Sequence, residues 1–175
     1  MSEPRRVNIV QGEFYVSDDP DVMVTTLLGS CVAACLHDPM ARVGGMNHFL
    51  LPGQLEKVSE SASERLGVHL MELLVNGMLK LGAGRERLQA KIFGGAKTMA
   101  GLADIGAANA TFAKAFLVRE GIPILAASVG GTVGRRIQFW PAAGRVRQHL
   151  MESPVQETLS VRLPPVPASG ELELF

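Results

Sequence analysis

Val22-Met23-Val24-Thr25-Thr26-Leu27-Leu28-Gly29-Ser30-Cys31-Val32-Ala33-Ala34-Cys35-Leu36 carries no charge along its whole length. It is short of the ~18 apolar residues that a membrane-spanning helix needs. It reads instead as two buried strands, Val22 to Thr26 and Val32 to Leu36, joined by a turn of small residues. Working outward, Val7 to Val10, Glu13 to Val16 and Arg42 to Leu51 are further β-type runs, punctuated by Asp-Asp, Asp-Pro and paired glycines, as turns require. The first third of the chain is therefore expected to be antiparallel sheet.

The period then changes. Leu66, Leu70, Leu73, Leu74, Gly77 and Leu81 recur at spacings of three and four, which predicts an amphipathic helix with a capping box at Ser61 and Glu64. Gly82 and Gly84 stop it, and Leu88 to Phe93 follows as a strand. A second helix is expected from Asp104 to Arg119, with Ile105, Phe112 and Phe116 inward and Gly121 as its C-terminal cap. Ile122 to Val129, Arg135 to Trp140 and Val146 to Leu150 complete the strands, with turns at Gly130-Gly131 and Pro141 to Gly144. One domain over residues 1–151 is predicted, followed by a Pro-rich, loosely held tail over 152–175.

Composition excludes several classes. Of 175 residues, 47% are apolar and 19% charged, the balance of a folded chain. Seventeen Lys and Arg offset seventeen Asp and Glu, so no net field draws the chain to nucleic acid or anionic lipid. No apolar segment follows Arg5 and Arg6, which argues against a secretory signal and predicts a cytoplasmic protein without membrane insertion. In a reducing cytosol, Cys31 and Cys35 are free thiols.

Cys31 is the candidate nucleophile. It sits at a turn, where a thiol can be presented while the backbone N–H groups around Gly29 and Ser30 help hold an oxyanion. A free cysteine is ordinarily a small core residue, and that reading stands beside the reactive one. A nucleophilic thiol needs a base, and His48 lies seventeen positions on, in the Gly44-Gly45-Met46-Asn47-His48-Phe49-Leu50-Leu51-Pro52 strand, enough for an antiparallel return. A half-buried structural histidine is the competing reading. A zinc site of Cys31, Cys35, His37 and His48 fits poorly, because an extended Cys31–Cys35 segment spans roughly 13 Å. His37 is expected in a turn, and His69 and His149 at the surface. Phe93-Gly94-Gly95-Ala96-Lys97-Thr98 and Gly130-Gly131-Thr132-Val133-Gly134-Arg135 lack the glycine order of nucleotide loops and read as tight turns or close backbone approaches.

Together these segments resemble the chemoreceptor glutamine deamidase family, CheD. The resemblance rests on Gly12-Glu13, Leu28-Gly29-Ser30-Cys31-Val32-Ala33, Gly44-Gly45-Met46-Asn47-His48-Phe49-Leu50-Leu51-Pro52, Ala90-Lys91-Ile92-Phe93-Gly94-Gly95-Ala96 and Gly130-Gly131 through Gly134-Arg135. It implies an α/β (α+β) three-layer sandwich of mainly antiparallel sheets and two principal helices, related to glutamine-deamidating toxins. It implies a cofactor-free Cys-His-Thr site, with Cys31 as nucleophile, His48 as base and Thr25 as the orienting threonine; Thr26 adjoins Thr25 and is the alternative. The implied activity is conversion of glutamines on methyl-accepting chemotaxis receptors to glutamate, with release of ammonia through a thioester. Ala108 and Ser128 stand where the family often has Arg and Asp. A rival reading is a non-catalytic regulatory protein that binds a CheC-type phosphatase or the receptors; a further one is a thiol hydrolase or transglutaminase acting on other proteins.

Overall fold

A computed structural model describes residues 2–52, 59–98 and 104–152. Its elements, in order, are β1 (Arg5–Asn8), β2 (Phe14–Ser17), β3 (Val22–Leu28), β4 (Val32–Asp38), β5 (Val43–Asn47), α1 (Glu60–Lys80), a 3-10 turn (Arg85–Arg87), β6 (Gln89–Gly94), α2 (Ile105–Arg119), β7 (Ile124–Val129), β8 (Arg135–Trp140) and β9 (Arg145–Leu150). They form two sheets, β1-β3-β8-β9 and β2-β5-β4-β6-β7. The fold is α+β. Most pairings are antiparallel, but β1 runs parallel to β3 and β6 parallel to β7. The expectation of a wholly antiparallel first third is corrected at β1, which pairs with β3 and not with its chain neighbour β2.

Side-chain alternation explains how the layers stack. On β3, Val22, Val24 and Leu28 turn inward and meet Cys31, Ala33 and Cys35 of the β4 line, with Ile137 and Phe139 of β8, in a core between the sheets. The opposite face of β4, Val32, Ala34 and Leu36, packs on Leu70, Met71, Leu74 and Met78 of α1 and on Ala113, Phe116 and Leu117 of α2. Sheet, sheet and helices are thus three layers, with β4 buried on both faces; hence the unbroken apolar reading of its sequence. Each large side chain fully buried here, such as Phe49, Phe116 or Leu74, removes apolar surface worth about 1.5–3 kcal/mol from water.

Gly44 and Gly45 set the spacing of these layers. A Cβ on Gly44 would lie 2.2 Å from the Pro141 carbonyl oxygen, and one on Gly45 2.8 Å from Leu74 of α1. No side chain fits between β5 and either neighbour.

The first helix begins earlier than its apolar period. Ser59 is the N-cap, its hydroxyl accepting from the Ala62 N–H, so the expected box at Ser61 and Glu64 lies inside the helix. His37, expected in a turn, belongs to β4, with its Nε2 3.2 Å from the Ala142 carbonyl. The expected tail lies outside the described residues beyond Glu152.

Candidate active site

The turn after β3 is held from behind by three successive carbonyl groups. Gly29 O accepts from Ala96 N at 2.9 Å, Ser30 O from Asn109 Nδ2 at 3.0 Å, and Cys31 O from Gly95 N at 2.9 Å. A planar trans peptide points its N–H opposite to its C=O. Pinning the Gly29 and Ser30 carbonyls toward the 94–96 loop and α2 therefore directs the N–H groups of Ser30 and Cys31 to the other side. The loop can come this close because Gly94 adopts φ +109°, and a Cβ there would stand 2.2 Å from Cys31 O. The glycines that look like a nucleotide loop are a backbone clamp on this turn.

His48 is brought in by a continuation of β5. Val32 and Phe49 exchange both backbone hydrogen bonds, at 3.0 and 2.9 Å, in the same register that pairs Cys35 with Met46. That register sets Ala33 opposite His48 and Leu50 opposite Cys31, so Cys31 and His48 occupy diagonal positions on one sheet face. Diagonal neighbours stand about 7–8 Å apart at the backbone, within reach of an imidazole. The other edge of the same residue is fixed as well: His48 N donates to Glu13 O at 3.0 Å and His48 O accepts from Gly12 N at 2.8 Å. Gly12, at φ +88°, makes the turn that Glu13 closes by accepting the Val10 N–H on its carboxylate.

Across the interface between the sheets, Thr26 meets this histidine. Its Oγ1 lies 2.7 Å from His48 Nδ1 and 2.7 Å from the Ile9 carbonyl. A carbonyl oxygen only accepts, so the hydroxyl proton goes to Ile9 and the Thr26 oxygen is left to accept from Nδ1–H. The reverse arrangement would set two oxygen lone pairs against each other at 2.7 Å. Neutral His48 is therefore the Nδ1–H tautomer, with Nε2 as its basic nitrogen.

Of the two threonines, Thr26 makes this contact. Thr25 was the first expectation for the orienting position, but β3 alternation turns it to the opposite face, where its hydroxyl donates to Ile137 O at 2.8 Å. Cys31, His48, Thr26 and Ser30 are all buried. Cys35 lies further along β4, and burial, only partly offset by the charge of Lys91, pushes its thiol well above the ordinary range. A cavity of about 250 Å³ at that end is lined by Cys35, His37, Lys91 and Gly144. Lys91 Nζ there donates to Gly144 O at 2.9 Å.

Two residues given no site role by the sequence belong to the site's support. Asn109, fully buried on α2, donates to Ser30 O and accepts from Leu51 N at 3.0 Å, joining the Cys31 turn to the segment after His48. An amide at an inward position of an otherwise small and apolar helix was its signal. Arg135, also buried, donates to Gly94 O at 3.2 Å and Gly130 O at 2.9 Å, tying the two glycine-rich segments together. Burial lowers its pKa. Among the described residues no three His, Cys, Asp or Glu side chains gather as a metal site.

The chain is similar to proteins of one family. The family described as CheD chemotactic sensory transduction matches residues 50–149, a span that starts just after His48. A protein of Agrobacterium fabrum named "Probable chemoreceptor glutamine deamidase CheD" is 55% identical over 98% of this chain and 97% of its own length. A Caulobacter vibrioides protein of the same name is 52% identical over 97% of this chain and 93% of its own. The crystal structure of Bacillus licheniformis YfiH aligns with 72% of this chain and 60% of its own at 14% identity and a TM-score of 0.45.

Proposed function

This chain belongs to the CheD family, and from that premise we propose that it is a cysteine-dependent deamidase of chemoreceptor glutamines. The Cys31 thiol gives its proton to His48 Nε2, and the thiolate attacks the side-chain amide carbon of a receptor glutamine. Negative charge develops on the amide oxygen, and in this scheme the N–H groups of Ser30 and Cys31 are its donors. His48 returns the proton to the departing nitrogen; the C–N bond breaks, ammonia leaves and a thioester to Cys31 remains. Water, losing a proton to His48, then attacks the thioester carbon. The C–S bond breaks, glutamate is released, and the thiol is restored by the proton from His48.

The observation that carries this reading is the chain of hydrogen bonds from His48 Nδ1 through Thr26 to the Ile9 carbonyl. It holds one tautomer of the imidazole and leaves Nε2 basic, the nitrogen that a Ser-His-Asp triad presents to its nucleophile. Thr26 is the orienting residue in this scheme, and Thr25 lies outside it. The implied setting is the cytoplasm, where receptors present their signalling helices, and no cofactor takes part.

Purified protein incubated with a chemoreceptor cytoplasmic fragment is expected to release ammonia and to convert specific glutamines to glutamate, read by peptide mass spectrometry. Cys31→Ala and His48→Ala should each abolish both while leaving the circular dichroism spectrum intact. Full activity in either variant would overturn the mechanism. A chemotaxis phenotype that survives Cys31→Ala would favour the non-catalytic alternative, in which the protein acts by binding the receptors or a CheC-type phosphatase.

A further inference from the structure

The outer face of the four-stranded sheet is cationic in a chain whose charges cancel overall. β1, β3, β8 and β9 together hold six arginines and not one Asp or Glu. Strand register arranges the outward residues in rows. Arg6 stands beside Met23 and Arg145 beside Trp140; Asn8, Thr25, Gln138 and Arg147 form the next row; Leu27, Arg136 and His149 form the last. Arg6, Arg136, Arg145, Arg147 and His149 are exposed, and none of the ion pairs among the described residues uses them. Of the acidic residues next to these strands in sequence, those of the 18–21 turn lie at the far end, where Asp19 is paired with Arg5, while Glu3 precedes β1 and Glu152 follows β9. Among the described residues, Arg145 stacks over the Trp140 ring, 4.1 Å from its centroid.

The last row borders the candidate site. Leu27, 41% exposed, precedes Leu28, whose partner across the ladder is Arg135, and Arg135 reaches the Gly94 loop that clamps Cys31. A polypeptide that reaches Cys31 over this end of the sheet passes Arg136 and His149. Guanidiniums without internal carboxylate partners select carboxylates, bidentately where geometry permits.

We infer that this face is the docking surface for an acidic segment of the protein substrate, one carrying glutamates close to the target glutamine. This rests on the deamidase reading, which itself supplies the carboxylates: each turnover converts a glutamine to glutamate, so any substrate with several targets becomes more acidic beside those that remain. The face then draws the enzyme back to a partly processed substrate.

The test uses the full chain, a chemoreceptor cytoplasmic fragment and, as a neutral probe of the chemistry, N-acetylglutamine N-methylamide. Arg136→Gln with Arg147→Gln should raise KM for the fragment about tenfold at low salt and leave its kcat, and ammonia release from the neutral probe, unchanged. KM of the unaltered protein should climb with salt, and that of the variant should respond much less. Equal KM values for the two proteins would overturn the proposal. So would a variant that keeps its KM for the fragment but no longer sediments with phosphatidylserine vesicles, which would assign the face to a membrane. A lowered KM in Glu171→Gln with Glu173→Gln, seen only when Arg136 and Arg147 are present, would hand it to this chain's own terminal segment. If no substrate is turned over, the deamidase reading falls by itself; calorimetric binding of the fragment by the unaltered protein and not by the variant would still uphold the surface.

Discussion

Thr25 and Thr26 are adjacent in sequence and serve opposite faces of one strand, which makes them a controlled pair. Thr26→Val keeps the shape of the side chain but removes the oxygen that accepts from His48 Nδ1 and the proton given to Ile9. The imidazole loses its fixed tautomer, and kcat/KM for ammonia release should fall on the order of 10²-fold, about 2.7 kcal/mol of transition-state stabilisation. Thr25→Val loses one hydrogen bond to Ile137 O, worth about 1 kcal/mol of stability, and should retain its activity. Comparable activity in the two variants would show that His48 needs no orienting hydroxyl. The two thiols form a second pair. Cys35 has its thiol held protonated by burial, whereas Cys31, also buried, has an imidazole on its own sheet face. Iodoacetamide at neutral pH should therefore carboxamidomethylate Cys31 well before Cys35, as peptide mapping would show; equal rates would argue against an activated thiolate.

At the scale of elements, α2 braces the site through one side chain. Asn109 holds the Ser30 carbonyl and the Leu51 N–H together, so its amide ties the strand line carrying Cys31 to the segment carrying His48 on the helix side, beyond the Val32–Phe49 backbone pair. Asn109→Ala leaves both groups without that partner in a buried place, at a cost of about 1–3 kcal/mol in stability. The freed Ser30 peptide should also lower kcat more than it raises KM, because an oxyanion donor acts in the transition state. A fall in melting temperature with unchanged kcat would reduce Asn109 to a packing role. This brace marks where the sequence stops being legible. The strands and both helices follow from periodicity and turn residues, because those are local properties; Cys31 and His48 are marked out by the family resemblance, since spacing alone leaves each as readily a core residue. Which threonine faces the imidazole depends on the pairing of β1, β3 and β8, and β1 pairs in parallel with a strand that is not its chain neighbour. The Gly94-Gly95 clamp and Asn109 depend on contacts across 58 or more positions, which no local pattern encodes. The start of α1 was misplaced for a smaller reason: Ser59 and Ser61 both suit a cap, and only the helix's true length separates them.

For the molecule as a whole, the two ends of β4 divide the labour. Its first end meets the candidate site; its last residue, Asp38, anchors the loop that leads from α1 into β6. This carboxylate is fully buried and accepts from the N–H groups of Met40, Ala41 and Gly84 and from Arg87 Nε and Nη2. Burial alone would raise its pKa, but the Arg87 guanidinium and the three N–H donors outweigh it and hold the carboxyl well below the usual range. A group whose pKa is depressed by folding adds stability above its unfolded value, near 3.9, and that stability drains away as pH falls below it. The melting temperature should thus be insensitive to Asp38 between about pH 5 and 8 and drop steeply below about pH 4. Asp38→Asn keeps the volume but leaves Arg87 without its counter-ion and two acceptor sites poorly matched. Because Arg87 is about a third exposed, the loss should be about 2–3 kcal/mol, less than for a fully buried pair, or roughly 5–10 °C in melting temperature. In that variant the acid-induced drop should shrink, since the group that would take up the proton is gone. An equally steep drop in both proteins would place the acid-sensitive group elsewhere. Ammonia release by the variant, measured below its melting temperature, should stay close to normal, because Asp38 lies at the opposite end of β4 from Cys31.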